Sequence, residues 1–229
     1  MSKLAIKPVW IGALALLVAV AVAIRLGFAI TAFAPSNAPV GYVAQDEITS
    51  FNLKSGAETL FRPQYEREFW SGNLVSYPIG ADGNVTGATN WGDGAADVMD
   101  LQNFDTGRYI ATMKDDGTTI PFRLTSLSAA QQSLFGNSAA LVNFLRGERI
   151  NEGATYRTRK HVLGDIVHSR PYYVADATNP TVFASANDGM LHAVNASAGA
   201  GGGQERWAYV PSMLLSKMTN LSVKPYVHD

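Results

Sequence analysis

The sequence predicts a mainly β fold with a short helical insertion, preceded by one N-terminal hydrophobic helix. Three observations carry this. Strand-like runs separated by turn signals occupy Pro171–Ala175, Thr181–Ser185, Met190–Asn195 and Arg206–Val210. Asn187-Asp188-Gly189 tolerates positive φ and predicts a hairpin between the second and third runs. An uncharged run from Pro8 to Ile24 follows Lys3 and Lys7 near the N-terminus. Within the strand-like region Tyr172, Val174, Val182, Ala184, Leu191 and Ala193 are apolar at a period of two, which predicts strands with one buried face.

At the N-terminus, residues 1–34 read either as a cleavable secretory signal or as a signal-anchor transmembrane helix. Arg25 interrupts the apolar run, which resumes from Leu26 to Ala34. As a helix, Pro8–Ala34 would measure about 40 Å, enough to cross a bilayer core with tilt. Small-x-small sites at Ala19-Val20-Ala21, Ala21-Val22-Ala23 and Ala32-Phe33-Ala34 suit a signal peptidase equally well, except that Pro35 after the last is expected to hinder cleavage there. Both alternatives place the remainder outside the cytoplasm, in the periplasm, at the cell surface or on a surface appendage, anchored to the membrane if the segment is retained. Residues 35–40, with Pro35 and Pro39, form a linker, and residues 41–229 are expected to form one domain.

A short pattern recurs within that domain. Ile48–Gly56 and Leu191–Gly199 share an apolar residue, two spacers, an apolar residue, Asn, three spacers and Gly, and Leu74–Gly83 is a weaker copy with Pro78 in place of the Asn. Each describes a strand running into a turn, and recurrence of one such unit marks a repeat architecture such as a propeller. Arg108–Met113 and Thr118–Leu124 read as two more strands, joined by Lys114-Asp115-Asp116-Gly117. The helical insertion near 128–147 follows. Ser128 caps one helix closed by Gly136, and Asn137 or Ser138 caps a second closed by Gly147. Leu141, Phe144 and Leu145 share one face of the second helix and should pack on the sheet.

Composition narrows the function classes. The chain has 229 residues, a net charge of -1 and no cysteine. No global field favours nucleic acid, and no disulfide framework, thiolate metal site or cysteine nucleophile is possible. Asp93, Asp97, Asp100 and Asp105 lack the alternating spacing of a calcium loop and read as loop and helix-start acids. Asp165, His168 and Ser169 lie within five positions, too close along a strand to converge as a triad. His192, between apolar neighbours, reads as a satisfied core histidine. Arg157, Arg159, Lys160 and His161 form a basic patch without interleaved aromatics, which reads as a solvated edge. Arg146-Gly147-Glu148 is a helix C-cap. No catalytic, cofactor-binding or metal-ligating residue is assigned, and the binding surface is left open.

Several separated blocks, in order, carry a resemblance. They are Leu163-Gly164-Asp165-Ile166-Val167-His168-Ser169 with Pro171, then Ala186-Asn187-Asp188-Gly189-Met190-Leu191-His192-Ala193, then Tyr209-Val210-Pro211-Ser212. Upstream, Phe61-Arg62-Pro63-Gln64-Tyr65, Trp70-Ser71-Gly72 and Leu141–Glu148 belong with them. Together they resemble the type IV pilus tip-associated adhesins, the PilC/PilY proteins, from about Val40 onward. The resemblance implies a quinoprotein-like β-propeller serving adhesion and pilus biogenesis, not catalysis. It implies minor pilins and the pilus machinery as partners, together with a host or abiotic surface. The family's calcium loop has no counterpart in these residues, so no cofactor is carried over.

About eight to ten strands are expected, fewer than the four four-stranded blades that the smallest closed propeller needs. The expectation is therefore an incomplete propeller, with another chain or further sequence supplying the rest. Two alternatives remain. A pyrroloquinoline-quinone dehydrogenase uses similar hairpins, and a membrane-anchored propeller scaffold would serve envelope assembly.

Overall fold

The hairpin at Asn187-Asp188-Gly189 lies within the main sheet, one strand in from its edge. The computed structural model describes residues 59–66, 69–80, 83–85 and 87–223. The hydrophobic segment 1–34, the linker 35–40 and the pattern copy at Ile48–Gly56 lie outside them. Among the described residues no helix is long and apolar enough to cross a membrane.

Eight strands are described: β1 (Thr59–Glu66), β2 (Ser71–Pro78), β3 (Ile110–Met113), β4 (Thr119–Pro121), β5 (Tyr172–Val174), β6 (Thr181–Ser185), β7 (Leu191–Asn195) and β8 (Glu205–Tyr209). The helices are α1 (Ala95–Asp100), α2 (Ala129–Leu134) and α3 (Ala139–Arg146). β1 and β2 pair as a two-stranded antiparallel ribbon, and the other six form one sheet in the order β4-β3-β8-β7-β6-β5. Four consecutive strands, β5 to β8, thus make an antiparallel meander. The β3–β4 hairpin joins its outer edge through a parallel β3–β8 pair. The fold is mainly β, with few helices and no closed barrel among the described residues.

At the hairpin, Gly189 takes φ +85° and its amide donates to the Ala186 carbonyl at 3.1 Å, closing the turn. Register then corrects the expected buried face. Tyr173 pairs with Val182, Val182 with Val194, and Ala184 with His192, so these residues share one side. Tyr172 and Val174 lie on the opposite side of edge strand β5 and are exposed, and Leu191 and Ala193 share that side. Tyr173 turns inward and stacks on Phe61, with ring centroids 5.6 Å apart.

Two apolar clusters fill the interior. Phe61 and Leu74 of the ribbon, Trp91, Met99 of α1, Leu163 and Ile166 pack on Val182, Ala184 and Val194. Phe122, Phe135, Val142 and Phe144 of the hairpin and helices pack on Met190, Ala208, Val210 and Met218.

Both helices of the insertion begin where their capping residues stand. The Ser128 hydroxyl accepts from the Gln131 amide, and the Gln131 side chain accepts from the Ser128 amide, a reciprocal capping box. Ser138 caps α3 and Gly147, at φ +120°, ends it. Substituting Ser128→Ala leaves the Gln131 amide without its side-chain acceptor and is expected to cost about 1 kcal/mol in a urea titration.

The helix-start acids expected between Asp93 and Asp105 have their counterpart in α1, with Asp97 in its first turn. Its cap comes from β2, where Asn73 Oδ1 accepts from the Ala96 amide at 3.0 Å and Asn73 Nδ2 donates to the Asp93 carbonyl at 2.6 Å. A side chain distant in sequence does what the preceding residue, Gly94, cannot.

Candidate functional site

An irregularity in β8 builds the most charged place in the interior. Ala193 pairs with Trp207 and Val194 with Glu205, leaving Arg206 as an extra residue between them. A bulge of this kind re-aims neighbouring side chains. Here Trp207 lies on the Phe183 side while Glu205 turns to the buried side, where it is 3% exposed.

The Glu205 carboxylate accepts two hydrogen bonds from Arg108, from Nε and Nη2, each 2.7 Å long. It also lies 2.7 Å from His192 Nδ1. The other ring nitrogen of His192 lies 3.0 Å from Asp188 Oδ2. With a carboxylate at each nitrogen, both must donate, so the ring is an imidazolium. Asp188 in turn accepts from the amides of Gly164 at 2.9 Å and Met190 at 3.0 Å. At the other end Arg108 Nη1 donates to the Arg146 carbonyl at 2.7 Å, at the end of α3. One ionic chain therefore ties the 162–166 segment, the hairpin turn, β7, β8, the lead into β3 and the helical insertion. Two cations and two carboxylates balance within it.

The titrations follow from this geometry. Burial alone would drive His192 neutral, but the Asp188 and Glu205 carboxylates outweigh it and raise its pKa to about 9. Burial pushes Glu205 upward, and the facing Arg108 and His192 overcome it and bring the carboxyl down to about 2. Asp188 is lowered in the same way: burial opposes ionisation, and His192 with the Gly164 amide outweighs it. The His192 contribution to stability is complete below its ordinary value near 6.5 and is lost as pH rises through about 9. That of Glu205 is complete above its ordinary value near 4.5 and is lost as pH falls through about 2. Unfolding midpoints are accordingly expected to fall between pH 7 and 9.5, and His192→Gln is expected to flatten that alkaline limb.

The other candidate residues are not gathered into one site. Asp165 accepts from Asn187 Nδ2 at 2.8 Å and Ser169 accepts from the Ser185 amide at 2.9 Å, so neither is directed at His168, which is exposed. The basic patch is corrected. Arg159 is buried, not on a solvated edge: it pairs with Glu152 at 2.7 Å and donates to the Phe144 and Glu148 carbonyls near the end of α3. Its guanidinium lies 3.9 Å from the Phe144 ring centroid, and burial brings its pKa to about 10. Lys160 pairs with Glu66, His161 with Asp100, and Arg157 donates to the Leu221 carbonyl.

Two of the acids, Asp100 and Asp105, also have partners. Asp100 accepts from the Val162 amide and from Arg149, each at 2.9 Å, and Asp105 pairs with Arg123. Among the described residues no group of three or more His, Cys, Asp or Glu is placed to hold a metal ion. A cavity of about 20 Å³ between Trp70, Phe144, His161, Gly164 and Asp188 is water-sized.

His192 is the core histidine that its apolar neighbours predicted. Its partners were hidden because the bulge, not the sequence alternation, directs Glu205 inward. The one legible trace is the four-residue spacing from Asp188, which the hairpin folds into contact.

Comparison with known proteins assigns the relationship. The chain is 30% identical over 210 residues to a type IV pilus biogenesis factor PilY1 homologue of Xylella fastidiosa, covering 79% of this chain and 16% of that protein. It is 28% identical over 221 residues to the type IV pilus biogenesis factor PilY1 of Pseudomonas aeruginosa strain UCBPP-PA14, covering 75% of this chain and 18% of that protein. This chain is a relative of the PilY1 pilus biogenesis factors. It spans less than a fifth of the length of those PilY1 proteins. No family model and no solved structure matches it.

Proposed function

We propose that this chain acts outside the cytoplasm as a non-enzymatic component of type IV pilus biogenesis and surface adhesion. The homology to PilY1, spread over three quarters of the chain, carries the reading. The architecture supports its finer part. β5 to β8 are four consecutive antiparallel strands paired in chain order, the composition of one propeller blade. On this reading the meander is a blade of an incomplete quinoprotein-like propeller, and another chain or further sequence supplies its neighbours. The partners are minor pilins and the pilus machinery, with a host or abiotic surface as the target of adhesion.

The chemistry of the interior fits a scaffold. The cations and carboxylates around His192 satisfy one another, and the adjoining cavity has room for a water molecule only.

The test is deletion of the gene in its own host, followed by counting surface pili by electron microscopy. Loss or strong reduction of pili, restored by the wild-type gene, is expected. Undiminished, fully functional pili would contradict the proposal.

A further inference from the structure

We propose that the side of the six-stranded sheet turned away from both apolar clusters is the surface through which two copies of this chain pair, an inference that stands independently of the pilus reading. Both clusters take their sheet residues from one side: Val182, Ala184 and Val194 in one, Ile110 and Ala208 in the other. Ala184 and Ala208 both pair with His192, and Ile110 pairs with Ala208, so this is the side of the buried ionic chain.

The opposite side carries an aromatic row. Phe183 pairs with Ala193 and Ala193 with Trp207, so the three lie in line across β6, β7 and β8. Ala193 is small and fully buried, and the Phe183 and Trp207 rings meet across it with centroids 5.7 Å apart. Leu191 and Tyr209 pair one step along on the same side. The row continues beyond β8. The Tyr109 carbonyl accepts from the Ala208 amide at 3.0 Å, which extends the β3–β8 pair by one residue. Alternation puts Tyr109 on the side of Ala111, the partner of Tyr209. Phe183, Leu191, Trp207 and Tyr209 are half-buried, and Tyr109 is 70% exposed. Neither apolar cluster contains a residue from this side.

Charge decides what the surface fits. In the six strands the ionisable side chains of Asp, Glu, Lys, Arg and His type are His192, Glu205 and Arg206. The first two turn inward and bond to each other. Arg206, the extra residue of the bulge, donates to Asn179 Oδ1 and the Pro180 carbonyl at the lead into β6. No paired position on the aromatic side is charged. Rich in aromatics and without Lys, Glu or Asp, it has the composition of the core of a protein–protein interface. A charged partner finds nothing there to pair with. A second copy brings the same uncharged face, and two such faces meet about a two-fold axis without opposing like charges.

Area sets the strength. On a scale of about 150–250 Å² per aromatic side chain, the open parts of these residues come to about 400 Å² on each copy. The pair would bury about 800–1,000 Å², the range of a weak, reversible dimer.

The test combines sedimentation equilibrium with hydroxyl-radical footprinting on the full chain in detergent, over one concentration series. The mass is expected to move from one chain to two, and oxidation of Tyr109 and Trp207 to slow several-fold over the same concentrations. Ile150, 81% exposed just beyond α3, is expected to react unchanged. Tyr109→Glu sets a carboxylate against its own copy across the two-fold and is expected to weaken association about tenfold or more, with the unfolding midpoint unchanged. Ile150→Glu is expected to associate as the wild type does. A chain that stays single at every concentration overturns the proposal, as does Tyr109→Glu pairing undiminished. So does a dimer in which Tyr109 reacts as fast as in the single chain, the result that pairing through segment 1–34 would give. None of these outcomes bears on the pilus count, which judges the proposed function separately.

Discussion

Glu205→Ala is expected to lower the unfolding free energy by about 3–5 kcal/mol, the usual cost of breaking a buried ion pair from one side. The wild-type carboxylate accepts two bonds from Arg108 and one from His192, and both cations are buried with it. Removal leaves the Arg108 guanidinium with the Arg146 carbonyl as its remaining acceptor and takes one of two counter-charges from the imidazolium. Arg108 cannot deprotonate to escape, so the desolvation cost falls on the folded state. Glu205→Gln, which keeps the volume and one acceptor, should cost less. Urea titration near pH 6, where the His192 and Glu205 contributions are both complete, checks the pair. A Glu205→Ala loss under 1 kcal/mol would show that the ionic chain is incidental.

Gly164→Ala is the second large effect. A Cβ there would stand 2.5 Å from the Asp188 amide nitrogen and 2.8 Å from Asp188 Cβ. These neighbours belong to the hairpin turn, and they cannot withdraw without stretching the 2.9 Å bond from the Gly164 amide to Asp188. The opposite face of Gly164 is no freer, because its carbonyl would lie 2.1 Å from a Cβ on Gly72. Overpacking at a backbone contact with no room to relax is expected to cost about 3 kcal/mol. Gly87→Ala is the control, since its Cβ would meet nothing within 4 Å. It should change stability by less than about 0.5 kcal/mol.

How much of this was legible in the sequence depended on whether the signal was local. α2 and α3 were readable because each cap lies next to the helix it starts. The β6–β7 and β3–β4 hairpins were readable because their turns carry Asp-Gly. β1 was missed, since Pro63 and the neighbouring polar residues disguise a strand that pairs with β2 through eight residues. α1 is legible only as helix-start acids, and its bounds are not, because its cap comes from Asn73 on another element.

The charged interior was hidden for a related reason. Strict alternation puts Glu205 on the same side as Trp207, and one extra residue in the ladder separates them. Arg159 reads as one more surface cation until the end of α3 folds over it and supplies two carbonyls. Homology reached further than pattern here, because the blocks around Gly164 and Asp188 form the contact that joins the turn to the preceding segment.

The claim that one buried ionic chain makes turn, sheet and helical insertion a single unit is tested most directly by native-state hydrogen exchange on Glu205→Gln. The amides of Gly164 and Met190, which donate to Asp188, should lose protection together with that of Ala208 in β8, which donates to the Tyr109 carbonyl. Loss confined to β8, with Gly164 and Met190 protected as in the wild type, would contradict it.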